Sequence, residues 1–149
     1  MEEVLFYAKI NIERHVVKKN GRPIYKNKKT GRFFLGKRHG LVLAEDALLS
    51  NLETCRIKHG ITDPIDFPIH CIFTFCFNAS NYYTKKGEIS KKLPDLSNLI
   101  QLPEDCLEKA RIIANDSLIH SLDGSRRLAH SSTQLEIKIL RYKGEFRKD

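Results

Sequence analysis

Three stretches of the chain alternate or run apolar in the manner of β-strands. Val4 to Ile12 (VLFYAKINI) mixes β-branched and aromatic residues and sets Lys9 and Asn11 against Ala8, Ile10 and Ile12, which predicts a strand that opens the sheet. Ile69 to Phe77 (IHCIFTFCF) is apolar on both faces, as a central strand requires. Thr133 to Tyr142 (TQLEIKILRY) places Leu135, Ile137 and Ile139 opposite Glu136, Lys138 and Leu140, and Ser117 to Leu122 adds a shorter apolar run, so two strands close the fold. Helical spacing appears twice. Leu41 to His59 repeats Leu41, Ala44, Leu48, Leu52, Cys55 and Ile57 and stops at Gly60, and a second helix carries Leu96, Leu99, Leu102, Cys106, Leu107 and Ala110 on one face. Pro64 and Pro68 break the first helix from the central strand, and Asn78 to Lys92 is polar and loop-like. The expected fold is α/β (α+β): a small mixed sheet of about four strands packed by two main helices in one domain over residues 1–149, with a basic loop at about 14–40.

The stretch Lys91 to Asp123 organises the chemistry, because it concentrates acids in a chain that is otherwise basic. Asp95 follows Pro94 at the second helix's start, and Asn115-Asp116 comes at the turn after that helix. If the apolar run after Asp116 returns as a strand beside the helix start, Asp116 approaches Asp95, and two carboxylates sharing a site are a common way to hold a divalent metal. The bland reading of these acids, and of Glu104 and Asp105 after Pro103, is a favourable charge or cap at a helix N-terminus.

Charge changes the picture next. Lys and Arg number 26 against 18 Asp and Glu, a formal net charge of +8, which favours a polyanionic partner. Ten cations fall between Arg14 and Arg38 with no acid among them: Arg14, Lys18, Lys19, Arg22, Lys26, Lys28, Lys29, Arg32, Lys37 and Arg38. Turn signals at Asn20-Gly21 and Thr30-Gly31 flank Ile24 and Tyr25, and Phe33, Phe34 and Leu35 follow, so the segment reads as an irregular hairpin or a mobile loop. It reads as a phosphate-contacting loop whose aromatic residues offer stacking surfaces rather than as a merely solvated basic surface. Lys85, Lys86, Lys91 and Lys92 lead in the same way to Asp95.

Other features exclude function classes. No apolar run approaches the ~20 residues of a membrane span, and MEEVLFYAKI opens on acids rather than a basic signal region, so the expected compartment is the cytoplasm. Cys55, Cys71, Cys76 and Cys106 form no C-x-x-C pair and read as free thiols within apolar patterns. His70, on the central strand, reads as a hydrogen-bonded structural residue rather than a ligand or general base.

The run PDLSNLIQLPEDCLEKARIIANDSLI, from Pro94 to Ile119, resembles the signature of RusA-type Holliday junction resolvases of phages and prophages: D-L-D-N-L, a helix containing D-A-L, then D-D-x-x-I. By that resemblance Asp95 is the first family carboxylate, Asn98 the family asparagine, Asp105 the helical acid and Asp116 the second member of the acid pair. The chain departs from the pattern at three positions: Ser97 stands in place of the second acid, Gln101 in place of the catalytic lysine, and Asn115 in place of the first acid of the pair. Each departure removes a metal oxygen or a cation that would stabilise charge on the phosphorus. The positions available to compensate are Glu104, Asp105, Asp123, Lys91 and Lys92.

The resemblance implies a homodimeric endodeoxyribonuclease that uses Mg²⁺ (or Mn²⁺) to resolve branched DNA in recombination and repair. Asp95 and Asp116 would hold the metal, Ser97 and Asn98 would fill or orient its shell, Gln101 and Asp105 stand at further catalytic positions of the pattern with Asp105 ~15 Å along the helix from Asp95, and the basic residues would grip the DNA arms. The departures leave open a second reading, a junction- or duplex-binding protein of the same fold with weakened or lost catalysis.

Overall fold

The computed structural model describes residues 3–11, 24–26, 33–35 and 39–148. In chain order the elements are β1 (Val4–Asn11), β2 (Ile24–Lys26), β3 (Phe33–Leu35), α1 (His39–Lys58), β4 (Ile69–Asn78), α2 (Ala79–Tyr82), α3 (Leu96–Lys109), β5 (Ile119–Ser121), β6 (Arg126–His130) and β7 (Gln134–Arg141), with a 3₁₀ turn at Asp116–Leu118 ahead of β5. The main sheet is five-stranded and mixed, in the order β1-β7-β4-β5 with β6 also paired to β4. Strand β7 lies antiparallel to both β1 and β4, so β1 and β4 run the same way. The central place expected for β4 follows from its two apolar faces: it pairs with β7 on one side and with β5 and β6 on the other.

The small mixed sheet expected from the sequence is present, with five strands among the described residues, one beyond the four marked by apolar runs. The additional one is β6, whose RRLAH sequence lacks β-branched residues and alternation. It is held in register by the neighbouring β4, from Thr74 opposite Arg126 to Asn78 opposite His130. The run from Ser117 yields only the short β5, because its first residues are taken up by the 3₁₀ turn.

One hydrophobic cluster joins the helices to a single face of the sheet. Phe6, Ala8 and Ile10 of β1, the odd-numbered residues of β4, and Leu135, Ile137 and Ile139 of β7 meet Ala44, Leu48 and Leu52 of α1 and Leu99, Leu102, Cys106 and Leu107 of α3. Ile57, assigned by spacing to the same stripe of α1, is instead 70 % exposed in the helix's last turn. Helices α1 and α3 pack together, and Glu45 of α1 pairs with Lys109 of α3. At the outer edge of β1 the His59 ring covers Tyr7, with Nε2 3.0 Å from the carbonyl oxygen and 3.3 Å from the amide nitrogen, which blunts an edge open to strand addition.

Pro103 lies inside α3 and does not open a second helix. The helix ends in a Schellman turn: Ile112 N–H donates to Leu107 C=O, Arg111 N–H donates to Glu108 C=O, and Arg111 holds a left-handed φ of 62° without glycine's freedom. That turn sends Ile112 and Ile113 into the core, where Ile65 N–H donates to Ile112 C=O and Ala114 N–H to Ile65 C=O.

The four cysteines are free, and Cys71, Cys76 and Cys106 are buried. Burial, helped by the nearby Glu104 carboxylate, pushes the Cys71 thiol from 9.0 up to about 12. A folded-state value above the unfolded one means that the neutral thiol's contribution is fully present below pH 9 and is lost as pH climbs towards 12. The loss amounts to up to about 4 kcal/mol across that window. Denaturant titrations at pH 8.5, 10 and 11.5 should therefore show a flatter alkaline decline for Cys71→Ala than for the native chain, even though the variant starts less stable. Parallel declines would assign the alkaline loss to other groups.

Candidate active site

Strand β4 and helix α3 run in opposite directions, and this decides where the acids lie. Arg127 of β6, paired in register with Phe75, donates from Nη1 to the Pro94 carbonyl at 2.8 Å, so α3 begins beside the C-terminal half of β4. Asp95 is the N-cap residue of α3, with φ −62° and ψ 141°. Its carboxylate makes no capping hydrogen bond and is exposed, so the bland reading of Asp95 as a side-chain cap is not what the chain builds. Ser97 and Asn98 occupy the second and third helical positions. Ser97 is exposed, while Asn98 and Gln101 are half-buried and Asn98 has a polar partner.

Asp116 lies at the other end of the helix. Its backbone N–H donates to Glu108 Oε1 at 2.9 Å, and Glu108 sits in the last turn of α3, thirteen residues on from Asp95. At ~1.5 Å per residue the helix separates the two positions by ~20 Å. The sheet gives the same answer: Ile119, just after Asp116, pairs with Ile69, whereas Asp95 sits level with Phe75, six residues along β4, ~20 Å at 3.3 Å per residue. The expected return of the chain beside the helix start is made by β6, not by the run that follows Asp116. Within one chain Asp95 and Asp116 are therefore not brought together.

Asn115, in place of a family acid, accepts a hydrogen bond from Ser117 N–H through Oδ1 at 2.8 Å and caps the 3₁₀ turn. Asp105 is ten residues along α3 from Asp95, ~15 Å, and Glu104 faces Cys71 of β4; both have polar partners. Asp123 lies beyond β5, with its carbonyl 2.8 Å from His70 Nε2, which gives His70 the structural role expected of it.

Among the described residues no group of three or more His, Cys, Asp or Glu side chains is placed to hold a metal ion. Mg²⁺ retains several waters and is commonly held by one or two carboxylates together with substrate phosphates. The uncapped, exposed Asp95 carboxylate fits that donor set alongside a DNA phosphate. Asp95 with Asp116 of the same chain does not.

Cations converge on the Asp95 end. Within the polar stretch expected as a loop, residues 82–90 form a small hairpin: Ser90 N–H donates to Tyr82 C=O at 2.8 Å, Thr84 N–H to Glu88 C=O at 2.7 Å, and Tyr83 bridges Ile89. Lys85 and Lys86 sit at its tip, where Gly87 takes φ 82°, and Lys91 and Lys92 lead from it to Pro94; all four are exposed. Asn11, the last residue of β1, pairs with Gln134, which pairs with Cys76, so the basic segment departs from this same end of the sheet. Of that segment, β2 and β3 pair antiparallel, Lys26 opposite Phe33, as the hairpin reading expects. Arg14, Lys18, Lys19, Arg22, Lys28, Lys29 and Arg32 lie outside the described residues.

Sequence reasoning missed Arg127 as the residue that fixes the start of α3 and Glu108 as the one that fixes Asp116. The Arg126-Arg127 pair was visible, but its partner, a carbonyl 33 residues away, was not.

No curated protein matches the chain. The model of the family described as endodeoxyribonuclease RusA matches residues 13–140, a span that takes in the basic segment, both long helices and, but for the last residue of β7, every described strand after β1. The chain belongs to the RusA family of endodeoxyribonucleases.

Proposed function

We propose that this RusA-family protein is a metal-dependent endonuclease that binds branched DNA and resolves Holliday junctions as a homodimer in recombination and repair. It would act in the cytoplasm of a bacterium or phage-infected host. The observation that carries this reading is the exposed, uncapped Asp95 carboxylate at the start of α3, which directly follows the exposed Lys91-Lys92 pair and the hairpin that carries the exposed Lys85 and Lys86. Phosphodiester hydrolysis needs that combination: cations that hold the backbone and a carboxylate that holds a divalent ion against the scissile phosphate. The ion, Mg²⁺ or Mn²⁺, would supply charge neutralisation and an activated water. Asp95 would hold it, Ser97 and Asn98 would orient the groups around it, and Lys91 and Lys92 would place the strand. Because α3 holds Asp116 at its far end, Asp116 would complete the site from the second copy in the dimer.

A four-way junction incubated with Mg²⁺ or Mn²⁺ tests the reading: metal-dependent nicks near the branch are expected, and no cleavage above that of Asp95→Asn at any pH or metal would end it. The second reading, a junction- or duplex-binding protein without catalysis, is favoured by Ser97, Gln101 and Asn115, of which Asn115 is used as a cap. It expects tight, EDTA-insensitive binding with no nicks. Both readings expect binding to weaken steeply with salt, by roughly a thousandfold between 50 and 200 mM if about six phosphates are contacted.

A further inference from the structure

A cleft of about 400 Å³ opens between the 82–90 hairpin and the start of α3, directly before Asp95. Phe77, Leu93 and Pro94 supply apolar lining, Ser80, Asn81 and Ser90 supply polar groups, and the Tyr83 ring and Lys92 complete it. This volume is in the range of small-ligand clefts, with room for one nucleotide and far too little for a duplex. Resting on the reading of the chain as a branched-DNA nuclease, we propose that the cleft takes one unpaired nucleotide from the branch point, its base stacked on Tyr83 and its phosphate on Lys92. The neighbouring phosphodiester is thereby placed at Asp95.

Three observations support this occupant. The first is that Tyr83 is 44 % exposed yet held in place: Tyr82, packed against the core, meets its ring edge-on at 5.0 Å and 81°, and the hairpin's hydrogen bonds fix the backbone on both sides. A pre-positioned aromatic surface loses little entropy when a base stacks on it. The second concerns the polar lining. Ser80 is already bonded to Asn78, and Ser90 Oγ accepts from Lys92 N–H, whereas the Asn81 amide makes no hydrogen bond among the described residues and can read a base edge. The third is charge. The recess on the sheet face opposite α1 and α3 sets Glu136 beside Arg126 and Lys138, and the recess by His70 sets Asp123 and Glu145 beside Arg141 and Lys143, so in each a carboxylate competes with a phosphate for the cations. The cleft before Asp95 is lined by Lys92 and no acid.

The test is made in EDTA, so that it does not depend on cleavage. A four-way junction carrying 5-iododeoxyuridine at the branch is photocrosslinked to the native protein and the site of attachment is mapped. Binding of the junction and of an intact duplex is measured in parallel for Tyr83→Phe, Tyr83→Leu and Tyr83→Ala. Expected are a crosslink at Tyr83, junction affinity kept by Phe and lowered about tenfold by both Leu and Ala, and duplex affinity within twofold for all three. Leu keeps apolar bulk without a ring face, so its failure reports stacking rather than hairpin packing. Crosslinks elsewhere, a loss shared by Phe, or an equal loss on duplex would each overturn the assignment. Junction binding that ignores Tyr83 overturns only the cleft, whereas a native protein that binds no DNA overturns the functional reading as well.

Discussion

Asp95→Asn is expected to lower junction cleavage by at least about a thousandfold while leaving the fold and junction affinity near those of the native chain. The rate effect follows from the loss of a carboxylate that would hold the ion at the scissile phosphate, a contribution of several kcal/mol to the barrier, about 4 of which make a factor of a thousand. The small effect on stability follows from what Asp95 does not do. Its side chain is exposed and caps nothing, so even Asp95→Ala should cost a few tenths of a kcal/mol, where a working cap would cost about 1. Affinity should rise slightly, because a negative charge is removed from a surface that faces phosphates. Gel-based cleavage of a labelled four-way junction, binding in EDTA and thermal unfolding of the same preparations separate the three quantities. An Asp95→Asn variant that cuts at the native rate would move the chemistry away from α3; an Asp95→Ala variant less stable than the native chain by more than about 1 kcal/mol would return Asp95 to a capping role.

The fold was legible where burial alone dictates the pattern. Strand β4 has two apolar faces and is central, α3 carries its buried residues at helical spacing, and β1 and β7 alternate as half-buried strands must. It was illegible where one element takes its conformation from another. Strand β6 exists through its ladder with β4, and the 82–90 hairpin rests on backbone hydrogen bonds among residues with polar side chains. The end of α3 uses Arg111 in a left-handed conformation, a position where sequence signals would ask for glycine. The same limit applied to the site. Spacing placed Asp95 at a helix start, which the structure bears out, but the relation of Asp95 to Asp116 depended on which strand returns past that start. The motif's spacing of acids along the chain is compatible with either end of α3. The direction of α3 against β4, set by core packing, places them apart.

Mixing Asp95→Asn with Asp116→Asn is therefore expected to restore cleavage that neither variant shows alone. If a site draws Asp95 from one copy and Asp116 from its partner, each pure variant dimer lacks a carboxylate in both sites. A mixed dimer has one site lacking both acids and one site intact. After unfolding and refolding an equimolar mixture, half the dimers are mixed and each carries one working site of two, so nicking should recover to roughly a quarter of the native rate. Products should be singly nicked junctions, since paired cuts need both sites. The ~20 Å between the two positions in one chain, set by the length of α3 and the Glu108 bond to Asp116, is what forces the arrangement. Failure of the mixture to recover, with both variants inactive alone, would mean that the two acids act in the same chain and that α3 rearranges to bring them together. Full activity of Asp116→Asn alone would make Asp116 a structural residue of the 3₁₀ turn and leave Asp95 as the carboxylate of the reaction.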